Sequence, residues 1–263
     1  MRFSFFAMMG LSMLLWSGCG GSSSAPASAA TPQFGIASGN WSIILLSQPG
    51  LNPGGGRAGG SLVQSGNTIT GTLHIVDSLC FDLQDDLSLS GTAAKQNISF
   101  TSAPLRGQTI VFTSDDPPLV FSAASTVITG SYAISGGACA GEKGSFVAGL
   151  IPALTGTWKG SVTGLFTADV AGTLTQTGPD SHGFFHLSGS FTFDGLSCFS
   201  SGTIASSQMY GPITNAVLDT NDSGQTLLDT TFGSAPPQHL SAVFSIQSGA
   251  CRPAVGIATL IKQ

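Results

Sequence analysis

Two loop regions and one turn carry the residue types best suited to chemistry. Asp180, His182 and His186 set a carboxylate beside a His-x3-His spacing, a donor set for a divalent metal. On an extended strand two positions four apart lie about 13 Å from each other, too far to share one ion. A bent loop would bring them together; an open hairpin would leave both imidazoles in water. Asp82, Asp85 and Asp86 form an acidic run of the kind that takes Ca2+, and the same run reads equally as a solvated loop. Asp219-Thr-Asn221-Asp-Ser223-Gly224 matches the opening of a calcium-loop pattern, but Thr230 stands where the bidentate acid belongs. Asn-Asp-Ser-Gly is a hairpin-turn sequence, and that is the reading taken. No metal and no cofactor is assigned. The chain contains no G-x-S-x-G, no H-E-x-x-H and no G-x-x-x-x-G-K-[ST]. Its acids gather at turn signals, where Asp is favoured by local hydrogen bonds, so no inward pair of carboxylates is offered for glycoside cleavage. The expectation is a protein that is not an enzyme.

Composition says what kind of element must hold these residues. Of 263 residues only 8 are Lys or Arg and 13 are Asp or Glu, which leaves a helical bundle without its charged face. A net charge of −5 provides no basic surface for nucleic acid. At 41% hydrophobic and 8% charged, the chain is also a poor candidate for intrinsic disorder. Gly (36) is abundant, Ser and Thr are plentiful, and Glu142 is the single Glu. Segments such as Phe185-His-Leu-Ser-Gly-Ser-Phe-Thr-Phe and Leu240-Ser-Ala-Val-Phe-Ser-Ile alternate apolar with small polar residues, the period of a half-buried strand. An all-β protein follows.

The chain is one unit written twice. Gly39-Asn-Trp41 recurs as Gly156-Thr-Trp158, and Leu62-Val-Gln-Ser-Gly66 as Leu174-Thr-Gln-Thr-Gly178. Cys80-Phe81 recurs as Cys198-Phe199, and Ile134-Ser-Gly-Gly-Ala-Cys139 as Ile246-Gln-Ser-Gly-Ala-Cys251. We therefore place two tandem homologous domains at 34–152 and 153–263, each an antiparallel barrel or sandwich of about eight strands. Each unit holds one early and one late cysteine. Cys80–Cys139 and Cys198–Cys251 is the pairing that lets each unit fold alone. The repeats differ by insertions. The second unit is longer between Gln176 and Gly189, which brings in Asp180, His182 and His186. The first is longer after Cys80, which brings in Asp82, Asp85 and Asp86.

At the N-terminus, Arg2 precedes an uncharged apolar run from Phe3 to Trp16, too short to span a bilayer and suited to a secretory signal. Leu15-Trp16-Ser17-Gly18-Cys19 resembles the lipobox of bacterial lipoproteins. The resemblance implies a signal peptide over 1–18 and acylation of Cys19, palmitate included, hence a membrane partner through the lipid anchor. Gly20 after the cysteine, in place of the Asp that retains such proteins in the inner membrane, favours the outer membrane of the cell envelope. Residues 19–33, rich in Gly, Ser, Ala and Pro, read as a flexible tether.

The Gly-x-Trp at the head of each unit resembles the first-strand motif of calycins, the lipocalin and avidin-like barrels. That resemblance implies that Trp41 and Trp158 sit low in their barrels and plug a closed end. Five phenylalanines, Phe184, Phe185, Phe191, Phe193 and Phe199, crowd one strand pair, and alternate members would line a barrel interior that is either packed or hollow. The functional expectation is a non-enzymatic envelope binding module for an apolar small molecule or envelope component. The alternative is a structural or adhesive protein with a protein or glycan partner; a hydrolase ranks last.

Overall fold

The computed structural model describes residues 38–48, 55–83, 85–94, 97–115, 127–233 and 238–263, and residues 33–263 form one compact unit. The expected signal segment 1–18, the expected acylation site Cys19 and the expected tether 19–33 lie outside the described residues. The first repeat comprises β1 (Gly39–Ser47), β2 (Gly56–Ser65), β3 (Thr68–Ser78), β4 (Asp86–Ala94), β5 (Asn97–Ser102), β6 (Thr109–Ser114), β7 (Val127–Ser135) and β8 (Lys143–Ile151). The second comprises β9 (Gly156–Gly164), β10 (Thr167–Thr177), β11 (His186–Asp194), β12 (Ser201–Tyr210), β13 (Ile213–Thr220), β14 (Gln225–Gly233), β15 (His239–Ile246) and β16 (Ala254–Lys262). Each strand pairs antiparallel with its neighbours in sequence, and the last returns to the first: β8 to β1 and β16 to β9. Both repeats are therefore closed eight-stranded barrels, and the sandwich alternative falls away.

Alternation in the sequence decides which side chains turn inward. Along β7, Ile128, Gly130, Tyr132 and Ile134 are buried while the residues between them are not; along β15, Leu240, Ala242, Phe244 and Ile246 repeat the pattern. Eight strands leave an interior that side chains can just fill. Two separate apolar cores result, one per barrel. Cys80 pairs with Cys139 and Cys198 with Cys251, with Cα–Cα distances of 5.7 Å in both. Each bond ties the β3–β4 or β11–β12 connection to the last hairpin loop of its barrel. Closing 59 and 53 residues is worth about 4 kcal/mol each on the chain-entropy picture.

The join between barrels is Pro152–Thr155, since Gly149–Ile151 complete β8. The barrels touch where the turn after β12 meets the outer wall of β1 and β2. Buried Asn40 donates from Nδ2 to the Gly211 carbonyl and accepts from the Gly211 N–H, both at 2.7 Å. Gly211 has φ 55° and approaches so near that a Cβ on Gly59 would lie 2.5 Å from its Cα. Both positions thus require glycine, one for its conformation and one for the close approach.

Candidate functional site

The loop inserted in the second repeat is a clasp between the barrels. Asp180 folds it. Its Oδ1 accepts from the backbone N–H of His182 (2.9 Å) and Phe184 (3.0 Å), and its Oδ2 lies 2.9 Å from His186 Nε2. His186 Nδ1 sits 2.7 Å from the Ser207 carbonyl, while His182 is exposed and does not join the pair. Partial burial works against the Asp180 charge, but hydrogen bonds from His186 and the two backbone N–H groups outweigh it and hold the carboxyl below its ordinary range. The bond to Asp180, helped by the Ser207 carbonyl, raises the His186 imidazole. The structure thus bends the loop and brings two of the three residues together, but for docking. It aims Phe184 at the first barrel, where the ring stacks on His74 with centroids 3.8 Å apart and planes 4° from parallel. Alternate phenylalanines of the cluster turn into the second interior as expected, with Phe185, Phe191 and Phe193 buried there, and the member left out, Phe184, leaves its own barrel.

The acidic run of the first repeat is paired off. Arg106 bridges Asp82 and Asp85, and Asp86 Oδ1 lies 2.5 Å from His74 Nδ1. The Arg106 guanidinium lies at the surface, where solvent screens both contacts and leaves them a small part in stability. His74 is different. Its side chain is 3% exposed, sealed by Phe184 and Tyr210 of the second barrel, and its Nε2 has no hydrogen-bond partner. Sequence reading missed it because a lone His on a strand gives no period and no spacing. Among the described residues no group of three His, Cys, Asp or Glu side chains is placed to hold a metal ion. The Asn221-Asp222 hairpin is likewise structural. Asp222 is held below its ordinary range first by the Thr220 hydroxyl and then by the Ala250 N–H, which ties the hairpin to the disulfide loop.

Glu142 was also missed as a participant. It is buried near one end of the first barrel and accepts from Tyr132 OH (2.9 Å) and Ser47 Oγ (2.6 Å). Gln108, also buried, donates to the Cys80 carbonyl (2.7 Å) and accepts from the Cys139 N–H (3.2 Å). These side chains close the disulfide end of the first barrel with a polar network.

Trp41 and Trp158 are fully buried near the starts of β1 and β9, at the end of each barrel opposite its disulfide. Trp158 Nε1 donates to the Leu154 carbonyl at 2.9 Å. Above Trp158 the second barrel encloses a cavity of about 40 Å3. Its wall includes Phe191, Phe193, Phe244 and Leu218, and Thr214 is the single lining residue with a polar side-chain atom. Such a void excludes water by chemistry, because a buried water needs two or more polar partners. Apolar contact is all it offers a guest.

No protein-family model matches this chain, and no curated protein matches it. Among solved structures, kievitone hydratase from Nectria haematococca is similar at 7% identity and a TM-score of 0.22, with 85% of this chain and 88% of that chain covered. A likeness at that score carries no argument about what this chain does.

Proposed function

We propose that the protein is a lipid-anchored envelope protein, acylated at Cys19, whose two-barrel body is a non-enzymatic binding module for an apolar small molecule. The observation that carries this reading is the apolar cavity in the second barrel. The titratable pairs support it by their employment elsewhere: Asp180–His186 folds the docking loop, and His74 is sealed between the barrels while its partner Asp86 stays half exposed. The resemblance of Ser17-Gly18-Cys19 to a lipobox and the two disulfides agree with export. Residues 33–263 contain both closed barrels and both disulfides. Native mass spectrometry of that segment, produced in an oxidising compartment, should show a reproducible added mass that is lost on denaturation. A clean apo spectrum after incubation with a panel of apolar compounds contradicts the binding role. Labelled palmitate should enter the full chain and fail to enter Cys19→Ser; equal labelling of both contradicts the anchor.

A second reading, a structural or adhesive surface protein, is favoured by one observation. Val243 pairs directly with Ile257, with Leu227 and Val255 flanking on the same outer face, and all four are 42–54% exposed. Under that reading Ile257→Lys abolishes attachment to envelope fragments while leaving any cavity ligand bound.

A further inference from the structure

We infer that the second barrel takes a compact, uncharged, single-ring apolar molecule, admitted through the end closed by the Cys198–Cys251 disulfide and a cluster of phenylalanine rings. The inference rests on the binding role proposed above.

The size limit comes from comparing the two interiors strand by strand. In the first barrel Phe100 faces Phe112, Phe112 faces Tyr132, and Gly130 faces Phe146. In the second barrel the same register places Ala216 opposite Leu228, Leu228 opposite Phe244, and Ala242 opposite Ala258. The rings of Phe100, Phe112 and Phe146, packed at centroid distances of 4.7–6.2 Å, thus correspond to Ala216, Leu228 and Ala258. All three replacements line the cavity. The opposite wall refills part of the space: Leu73 and Ile75 of β3 correspond to Phe191 and Phe193 of β11. What remains is about 40 Å3. An engineered apolar cavity of about 150 Å3 holds benzene. The space is about a quarter of that, so a single ring is the upper limit and enters only if Phe193 and its neighbours turn aside; a long acyl chain is too large. A charged guest is excluded because the wall, apolar but for Thr214, carries no charged group to pair with it.

The route comes from the ends. At one end the fully buried Trp158 and Met209 form the floor, and beyond them the Gly211 turn is clamped to the first barrel by Asn40. At the other end the two barrels differ again. The polar closure Ser47, Tyr132 and Glu142 of the first barrel corresponds by register to Gly164, Phe244 and Ala254. No hydrogen bonds among those three side chains have to break there. The mouth is covered by Phe193, Phe199, Phe244 and Phe166 in edge and tilted contacts at 5.1–6.3 Å. Phe199 is held by its neighbour Cys198, and that disulfide ties the loop to Cys251. Opening needs only ring rotation and a small loop displacement.

The test is a benzene titration of residues 33–263 followed by aromatic and methyl NMR. Saturable shifts are expected at Phe191, Phe193 and Leu228, and not at Phe100, Phe112 or Phe146. Ala216→Leu, which fills the void, should weaken binding by about tenfold or more, equivalent to about 1.4 kcal/mol. Phe199→Ala, and separately the Cys198→Ser/Cys251→Ser double variant, should speed benzene exchange by about tenfold with affinity changed far less. Shifts centred on the first barrel, or no effect of Ala216→Leu, overturn the site. Binding of dodecanoate in place of benzene overturns the ligand class. Unchanged exchange rates in both gate variants overturn the route. Failure with benzene while a native adduct of other mass persists sinks this inference and leaves the binding role standing; loss of both removes both.

Discussion

Phe100→Ala carries the residue of the second barrel into the first, and its cost follows from the packing. Phe100 is 1% exposed, stacks on Phe112 at 4.7 Å and meets Phe146 edge-on at 6.2 Å. Truncating a buried Phe costs about 3–5 kcal/mol. Losing two aromatic pairs, each worth roughly 0.5–1.5 kcal/mol beyond burial, places this site near the upper half, about 4 kcal/mol. Because the two cores are separate clusters, the loss should fall on the first barrel. Native-state hydrogen exchange reads it directly. Amides of β5, β6 and β7 should exchange about a thousandfold faster at fixed pH, while those of β13–β15 change by less than about tenfold. A change below tenfold in the first barrel would mean the trio is not its packed centre. Equal acceleration in both barrels would mean that the barrels open as one unit, against the picture of two independently closed cores.

Asn40→Ala leaves the N–H and carbonyl of Gly211 unpaired in a buried contact, at about 1–3 kcal/mol each; protease cutting at Pro152–Thr155 should accelerate, and unchanged cutting would dismiss the clamp. Removing Cys80–Cys139 should cost about 4 kcal/mol in urea unfolding of the first barrel, and a loss below about 1 kcal/mol contradicts an independently folding unit. The docking loop should be pH-dependent. The raised His186 contributes fully below the ordinary imidazole value and loses its part as pH rises through the folded value. The lowered Asp180 contributes above the ordinary carboxylate value and loses its part as pH falls through the folded one. Protection of the His182 and Phe184 amides, corrected for intrinsic exchange, should therefore peak between about pH 4 and pH 6.5, and His186→Gln should flatten the curve. A flat wild-type curve would sink the pairing.

Much of the fold was legible in the sequence because it is written in local pattern. Period-two alternation marked the strands, and four landmarks in the same order marked the repeat and the cysteine pairing. Closure was left open between barrel and sandwich, since β1 and β8 meet across the whole domain and nothing local reports it. The site was read less well. Asp180, His182 and His186 were weighed for a metal because the His-x3-His spacing was visible, while the work of Asp180 and His186 in folding a docking loop depends on Ser207 and on the other barrel. His74, Asn40 and Glu142 gave no signal at all, because each acts through partners far away in sequence. The cavity was hidden for a subtler reason. Ala216, Leu228 and Ala258 are ordinary strand residues, and only the register against Phe100, Phe112 and Phe146 shows that rings are missing there.

The most direct measurement is crystallography under xenon pressure, because xenon reports an apolar void without needing the natural ligand. One xenon site is predicted inside the second barrel, bounded by Ala216, Leu228, Phe193 and Ala258, with none among Phe100, Phe112 and Phe146. Xenon in the first barrel, or in neither, would contradict the claim that the two repeats have diverged into a packed barrel and a receptive one.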